Sequence, residues 1–199
     1  MKKRLAGFLL MLSLICPLSA YSGIPLDTVK GYVNRVLDAL RDPALRGEAG
    51  RKIKREKIHS VSEEMFDFVE LSKRSLGQNW NKFSPGEQKE FIKLYRLLLE
   101  ETYADRIMSY GEEKLVFGKE LPLSERTVEV QTTVVTKTSE VSINYRVIDE
   151  NGQWKVYDVV VEGVSLITNY RSQFRDILAN KTPQALLDIL RKKVEAQAG

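Results

Sequence analysis

The sequence predicts an α+β fold, with an antiparallel sheet of about four strands and N- and C-terminal helices packed over one side of it. Three observations carry this reading. The texture changes twice along the chain, from helical over residues 25–110 to strand-like over 114–161 and back to helical over 165–197. Apolar residues recur every three or four positions in the outer stretches and alternate in the middle one. Asn151-Gly152 sits between two Val-rich runs and marks a tight hairpin. Helices, then strands, then helices make a layered α+β domain rather than repeated βαβ units.

The first helix starts near Pro25. Leu26, Val29, Val33, Val36, Leu37 and Leu40 give it one apolar stripe, and Asp42-Pro43 stops it. Arg51 to Lys57 holds five basic residues and one Glu, which reads as a solvated helix face in preference to a binding patch. Ser60-Val61-Ser62-Glu63 has the form of a capping box and predicts a fresh helix start ahead of Met65, Phe66, Phe68 and Val69, with Gly77 as its stop. Ser84-Pro85-Gly86-Glu87 is the better box and opens a helix to about Tyr110. From Phe91 to Leu99 only Lys93 and Arg96 are polar, so this helix is buried or lines something apolar.

In the middle stretch, Leu115 to Phe117 is a candidate short edge strand and Thr127 to Thr138 a Val- and Thr-rich one. Val141, Ile143, Tyr145 and Val147 alternate with Ser142, Asn144 and Arg146, and Trp154 to Val161 returns as the next strand. Ser165 caps a helix striped by Leu166, Ile167, Tyr170, Phe174, Ile177 and Leu178. Thr182-Pro183 starts the last helix, with Leu186, Ile189, Leu190 and Val194 facing inward.

The chain has 199 residues, 43% of them hydrophobic and 29% charged. That suits one folded domain and excludes a disordered tail or a polytopic membrane protein. Lys2, Lys3 and Arg4 precede an apolar run from Leu5 to Ile15, broken only by Ser13. The run is shorter than the roughly 20 residues a bilayer span needs, and has the form of a secretory leader. Ala20 and Ser22 offer small residues for a cut before Gly23, with Ala20-Tyr21 a nearby alternative and an uncleaved membrane anchor the competing reading. Residues 1–22 are therefore expected to be a signal peptide cleaved near Ser22, and residues 23–199 a single domain. Cys16 lies in the leader behind Ile15, not behind the small residue that precedes an acylated Cys. The mature chain would hold no cysteine, which suits a bacterial periplasm. Losing three basic residues takes the formal charge from +4 to +1, which offers nucleic acid no electrostatic footprint.

Little catalytic chemistry is on offer. One histidine, His59, and no mature cysteine argue against a zinc site or a Ser-His-Asp triad. Gly163-Val164-Ser165 lacks the second glycine of a nucleophile elbow, so Ser165 reads as a cap. No Walker loop or dinucleotide fingerprint occurs, and no cofactor is expected. Asp158, inside a strand between Tyr157 and Val159, can be weighed as a buried acid or base, but a structural hydrogen-bonded Asp is favoured. What stands out is an apolar surplus. An ordinary core accounts for it, although a sheet with helices folded over it can also leave a cleft where apolar ligands lodge.

Two segments carry a resemblance. One is Phe66-Asp67-Phe68 running on through residues 71–107, with Leu76-Gly77, Trp80, Ser84-Pro85, Gln88, Phe91 and Thr102-Tyr103. The other is residues 154–174, with Gly163-Val164-Ser165-Leu166 and Asn169-Tyr170-Arg171. Both resemble the MlaC family, also called toluene-tolerance auxiliary proteins, and the resemblance extends from about Ile24 to Leu190. Ser75 departs from it, standing where family members more often carry Ala.

The resemblance implies a periplasmic phospholipid-binding carrier, not an enzyme. It would shuttle lipid between an inner-membrane ABC transporter complex and an outer-membrane lipoprotein–porin complex, maintaining outer-membrane lipid asymmetry. Each acyl CH₂ exposed to water costs about 0.8 kcal/mol, so two long chains cost on the order of 20 kcal/mol and need an enclosing apolar cavity. On this reading Tyr145, Val147, Val159 and Val161 form one wall, and Leu94, Leu98, Tyr103, Tyr170 and Phe174 the other. Arg171 stands at the mouth, where a guanidinium can pair with the lipid phosphate. Residues 51–57 are a candidate docking segment for acidic partners or anionic headgroups. A monomer is the default for a near-neutral surface without a coiled-coil pattern. The alternatives are a periplasmic enzyme using Asp158 or a tyrosine, a binding protein for another apolar ligand, such as a hopanoid-type lipid, in the same cavity, and a protein-interaction module with a solid core.

Overall fold

The computed structural model describes residues 23–110 and 113–198, so the expected leader and Cys16 lie outside the described residues. Helix α1 (Ile24–Arg41) carries Pro25 in its first turn, where a missing N–H costs nothing, and ends at Asp42. Its Val29, Val33 and Leu40 are buried. Helix α2 (Gly47–Met65) is mostly exposed. Near its start the chain passes so close that a Cβ on Gly50 would lie 2.3 Å from the Leu45 carbonyl carbon.

The fresh start expected at Ser60 is corrected by the structure. Helix α2 runs straight through Ser60–Glu63, and the Ser62 hydroxyl donates to Glu100 instead of capping. The break comes later, where Phe66 leaves the helix to bridge Val156 of the sheet and the Asp67 N–H donates to the Val156 carbonyl at 2.8 Å. Asp67 then caps helix α3 (Phe68–Leu76), accepting from the Glu70 N–H at 2.9 Å. Ser and Asp are comparable caps locally. A contact with a strand about ninety positions away decides between them.

Helix α3 stops at Gly77, and a 3₁₀ segment (Gly77–Lys82) leads to Ser84. There Ser84 and Glu87 cap each other reciprocally and open helix α4 (Pro85–Ser109), as expected. Five strands follow: β1 (Lys114–Ser124), β2 (Thr127–Val135), β3 (Glu140–Glu150), β4 (Gln153–Val161) and β5 (Val164–Ser165). Each pairs antiparallel with its neighbour in chain order. The sheet exceeds the four strands expected because two-residue β5 adds to the edge of β4, while the short strand foreseen at Leu115–Phe117 extends to eleven residues. Asn151 (φ 55°) and Gly152 (φ 86°) are the two left-handed residues of the β3–β4 turn. Helices α5 (Leu166–Leu178) and α6 (Pro183–Ala198) complete the chain. Ser165 caps α5 through the Thr168 N–H, and the Thr182 hydroxyl accepts from the Ala185 N–H at the start of α6.

Strand alternation sorts the side chains into two cores. Val128, Val130, Val147, Val156 and Val159 share one face, against which Val29 and Val33 of α1 pack. Val156 and Val159 are three apart yet share it, because the β3–β4 register slips and leaves Tyr157 as an extra residue. Tyr157 and Ile148 point the other way, into a core built by α3, α4, α5 and α6. Helices therefore take both sides of the sheet, which refines the one-sided packing expected. Phe66 packs against both cores.

Candidate functional site

The helical core is filled by its own aromatic rings. Phe91, Tyr95, Tyr170 and Phe174 pack with ring centroids between 5.1 and 5.6 Å apart, a spacing at which edge-to-face contacts add to burial. Leu94 and Leu98 lie in the same core, with Tyr103 half-buried at its margin. The Ser75 hydroxyl meets the Tyr95 phenol at 3.2 Å, which satisfies a buried polar group. Burial pushes the Tyr95, Tyr103 and Tyr170 phenols above their ordinary range. Side chains of α4 and α5 meet directly at the seam between these helices.

The other expected wall belongs to the second core. Val147 and Val159 are buried on the sheet face under α1, and Tyr145 and Val161 are half-buried beside them. Burial, helped by nearby Tyr110, pushes the Tyr145 phenol up to about 12. The structure thus brings Tyr145, Val147, Val159 and Val161 together, and separately groups Leu94, Leu98, Tyr103, Tyr170 and Phe174. It does not set the two groups face to face across one space.

The two cores differ in how well they are covered. Under α1 the margin is apolar and half-exposed: Tyr32, Leu37, Leu115, Phe117, Ile143 and Leu166 all pack against the core without being buried in it. An open pocket of about 590 Å³ lies there between α1 and β1, lined by Asn34, Leu37, Arg41, Glu113, Lys114, Leu115 and Phe117. That size falls in the range of small-molecule sites. Its lining combines the apolar Leu37, Leu115 and Phe117 with Asn34, the cations Arg41 and Lys114 and the anion Glu113. Arg41 is oriented by donating to the Glu113 carbonyl at 2.8 Å. The Lys30 ammonium lies 6.0 Å from the centre of the Phe117 ring.

Arg171 is placed elsewhere. Its Nε donates to the Arg74 carbonyl at 2.9 Å, tying α5 to the last turn of α3. Arg41 and Lys114 are the cations beside the α1–β1 pocket. Sequence reasoning passed over both, because only the pairing of β1 with the sheet brings residue 114 near the end of α1. Leu37 and Leu115 were visible as parts of a helix stripe and a strand, but nothing local marks them as lining.

Asp158 is buried, with three donors on it: the Ser165 hydroxyl at 2.6 Å, the Ile167 N–H at 3.1 Å and Arg146 at 3.2 Å. This clamp joins β4 to the start of α5. His59 is partly exposed between Glu100 (3.1 Å) and Glu63 (3.7 Å). The basic face of α2 is largely engaged within the chain: Arg51 pairs with Asp105 at 2.8 Å, Arg55 with Glu101, and Lys57 with Asp42 at 3.6 Å. Among the described residues there is no His, Cys, Asp and Glu cluster arranged to hold a metal ion, and no helix long and apolar enough to cross a membrane.

Comparison with known proteins places this arrangement. The chain is 24% identical over 115 residues to the intermembrane phospholipid transport system binding protein MlaC of Haemophilus influenzae, a match spanning 54% of each chain. It is 20% identical over 174 residues to the toluene tolerance protein ttg2D of Pseudomonas putida, covering 86% of this chain and 81% of that one. Its fold matches a phospholipid-binding protein of Ralstonia solanacearum, solved in complex with a phospholipid. There the TM-score is 0.77 at 25% identity, covering 88% of this chain and 99% of the other. The MlaC protein family model matches residues 30–192, from within α1 to within α6. A sheet packed by α1 on one face, a separate helical core on the other and a family match across both make this chain a member of the MlaC family.

Proposed function

We propose that this protein is a periplasmic phospholipid carrier, exported by cleavage of residues 1–22, that passes lipid between an inner-membrane ABC transporter complex and an outer-membrane lipoprotein–porin complex. The observation that carries the reading is the fold shared with a relative whose structure holds a phospholipid, over 99% of that relative's length. The chemistry agrees with it. A carrier needs apolar surface that a tail can cover and no catalytic group. Here the acid or base considered in the sequence is clamped by three donors between a strand and a helix.

Within this reading, acyl tails lie along the sheet face under α1, on Tyr145, Val147, Val159 and Val161. Leu37, Leu115 and Phe117 extend that bed to the open pocket. A phosphate at the pocket rim is attracted to Arg41 and Lys114. Leu94, Leu98, Tyr103, Tyr170 and Phe174 form the opposing layer, and line the tails only where that layer stands off the sheet. Arg171 holds α5 to α3 within it.

The test is organic extraction of the exported protein followed by mass spectrometry. About one mole or more of phospholipid per mole of protein is expected. Protein that emerges folded and free of lipid from a lipid-rich cell would overturn the proposal. Phe117→Asp sets a charge on the half-exposed floor, and should lower the retained lipid while leaving the helical content unchanged.

A further inference from the structure

The first described residue sits against a carboxylate from a distant strand. Glu120 of β1 accepts from the Gly23 N–H at 3.1 Å through one oxygen and from the Leu26 N–H at 2.6 Å through the other. No side chain of α1's own cap residue satisfies those donors. A carboxylate at the positive end of a helix is favourable. Glu120 therefore fixes the start of α1 over the sheet from nearly a hundred residues away.

Gly23 is also the residue that the leader's cut would make the first of the mature chain. Removal of the leader by a peptidase adds water across the Ser22–Gly23 peptide bond. Ser22 leaves as a carboxylate, and the Gly23 nitrogen becomes an amine that takes a proton at neutral pH. A neutral donor is thereby exchanged for a cation at the same position.

We infer that leader cleavage completes the fold: the new Gly23 ammonium forms an ion pair with Glu120 that locks the start of α1 onto β1, a contact the precursor cannot make. The sign of the effect depends on the carboxylates beside Gly23, Glu120 in hydrogen-bond contact and Asp27 close by. An ammonium at a helix N-terminus repels the helix dipole and by itself destabilises α1. Facing the Glu120 carboxylate, the same charge stabilises it. Uncut, the chain carries only a peptide N–H there.

The inference rests on the expected cut and on this contact, and not on lipid binding, so lipid extraction and the following experiment fail independently. N-terminal sequencing of the exported protein is expected to begin at Gly23, and any other first residue overturns the inference. The chain beginning at Gly23 is then compared with its N-acetylated form by urea unfolding, each with and without Glu120→Gln. With Glu120 present, the free amine should raise the folded-to-unfolded ratio by about two- to fivefold over the acetylated chain. With Glu120→Gln the advantage should shrink to what Asp27, whose carboxylate lies 4.0 Å from the Cβ position of Gly23, can supply. An acetylation effect equal in the two backgrounds overturns the inference. If Glu120→Gln does not fold, retaining Ser22 ahead of Gly23 takes its place. The displaced amine must then lose the advantage, and an unchanged ratio overturns the inference equally.

Discussion

Replacing Asp158 by Asn separates a structural carboxylate from a catalytic one. Asn has nearly the same shape but carries one acceptor and one donor where Asp carries two acceptors. Every neighbour of Asp158 presents a proton to it: the Ser165 hydroxyl and Arg146 reach one oxygen and the Ile167 N–H the other. If the Asn carbonyl takes the first place, its amide faces the Ile167 N–H and leaves that buried donor unsatisfied, at about 1–3 kcal/mol. The reverse flip faces two donors and is worse. Ser165, whose oxygen accepts from the Thr168 N–H at 3.1 Å, has a second lone pair for the amide, but Arg146 has none, so this flip still sets a donor against a donor. Arg146 also loses a charged acceptor, although Glu129 at 2.9 Å keeps it paired, which adds about 1 kcal/mol. The sum is about 2–4 kcal/mol, a large share of the 5–15 kcal/mol typical of a domain. With a urea slope near 2 kcal/mol per molar, the unfolding midpoint should fall by about 1–2 M. Lipid content per folded molecule should not change. A midpoint shifted by less than about 0.3 M, together with lost function, would refute the structural role and revive the enzyme reading.

Two glycines should respond in opposite directions. Gly50→Ala drives a Cβ to 2.3 Å from the Leu45 backbone, which cannot yield as a side-chain tip would, and should cost about 1–3 kcal/mol. Gly31→Ala, in α1 with nothing within 4 Å, should stabilise by about 0.5–1 kcal/mol in the same urea assay. Burial raises the phenols of Tyr95, Tyr103, Tyr145, Tyr157 and Tyr170. Below pH 10 both states keep these protons, and above it the unfolded chain loses them first. Stability should therefore hold up to about pH 10 and then fall by about 1.4 kcal/mol per pH unit for each participating tyrosine, for Tyr145 until its folded value near 12. The phenolate absorbance of these five rings should appear with unfolding and not before it.

Most helix ends and the β3–β4 turn were legible because they are chemically local. Ser84 with Glu87, Gly77, Asn151-Gly152 and Ser165 each do what their side chains or backbone freedom dictate within a few residues. The false start at Ser60 shows the limit. Its signal is real, but Phe66 and Asp67 are drawn out of the helix by Val156, and no local rule contains that strand. The site was legible residue by residue and not as a whole. Alternation identified Tyr145, Val147, Val159 and Val161 as one surface, and helical spacing grouped Tyr170 with Phe174. Which layer each would meet depends on α1 crossing one face while α3–α6 gather on the other. The single-residue slip at Tyr157 makes strict alternation fail between Val156 and Val159. Arg41, Lys114 and Glu120 acquire their roles only from long-range pairing, so nothing near them in sequence marked them.

The unequal cover of the two cores has a dynamic consequence that can be measured. Helix α4 buries Phe91, Leu94, Tyr95, Leu98 and Leu99 among rings and leucines from four elements. Helix α1 buries Val29, Val33 and Leu40 but leaves Leu26, Tyr32 and Leu37 half-exposed, and much of its attachment is polar. Those polar ties are Glu120 at its start, Arg35 to Glu64 at 2.6 Å, and Arg41 to the Glu113 carbonyl at its end. The one ion pair among them, Arg35–Glu64, is exposed and contributes little, and the hydrogen bonds contribute about 1–2 kcal/mol each, whereas each buried large side chain contributes about 1.5–3 kcal/mol. Lifting α1 from the sheet therefore costs far less than opening α4, and the amides of α1 and β1 should exchange with solvent through a smaller opening free energy than those of α4. A carrier gains from this asymmetry, because the weakly held helix covers the surface proposed for the tails. Bound phospholipid should slow α1 exchange selectively and leave α4 unchanged. If lipid-free α1 amides were protected as strongly as those of α4, the sheet face would be sealed core, and the proposed tail bed would have to lie elsewhere.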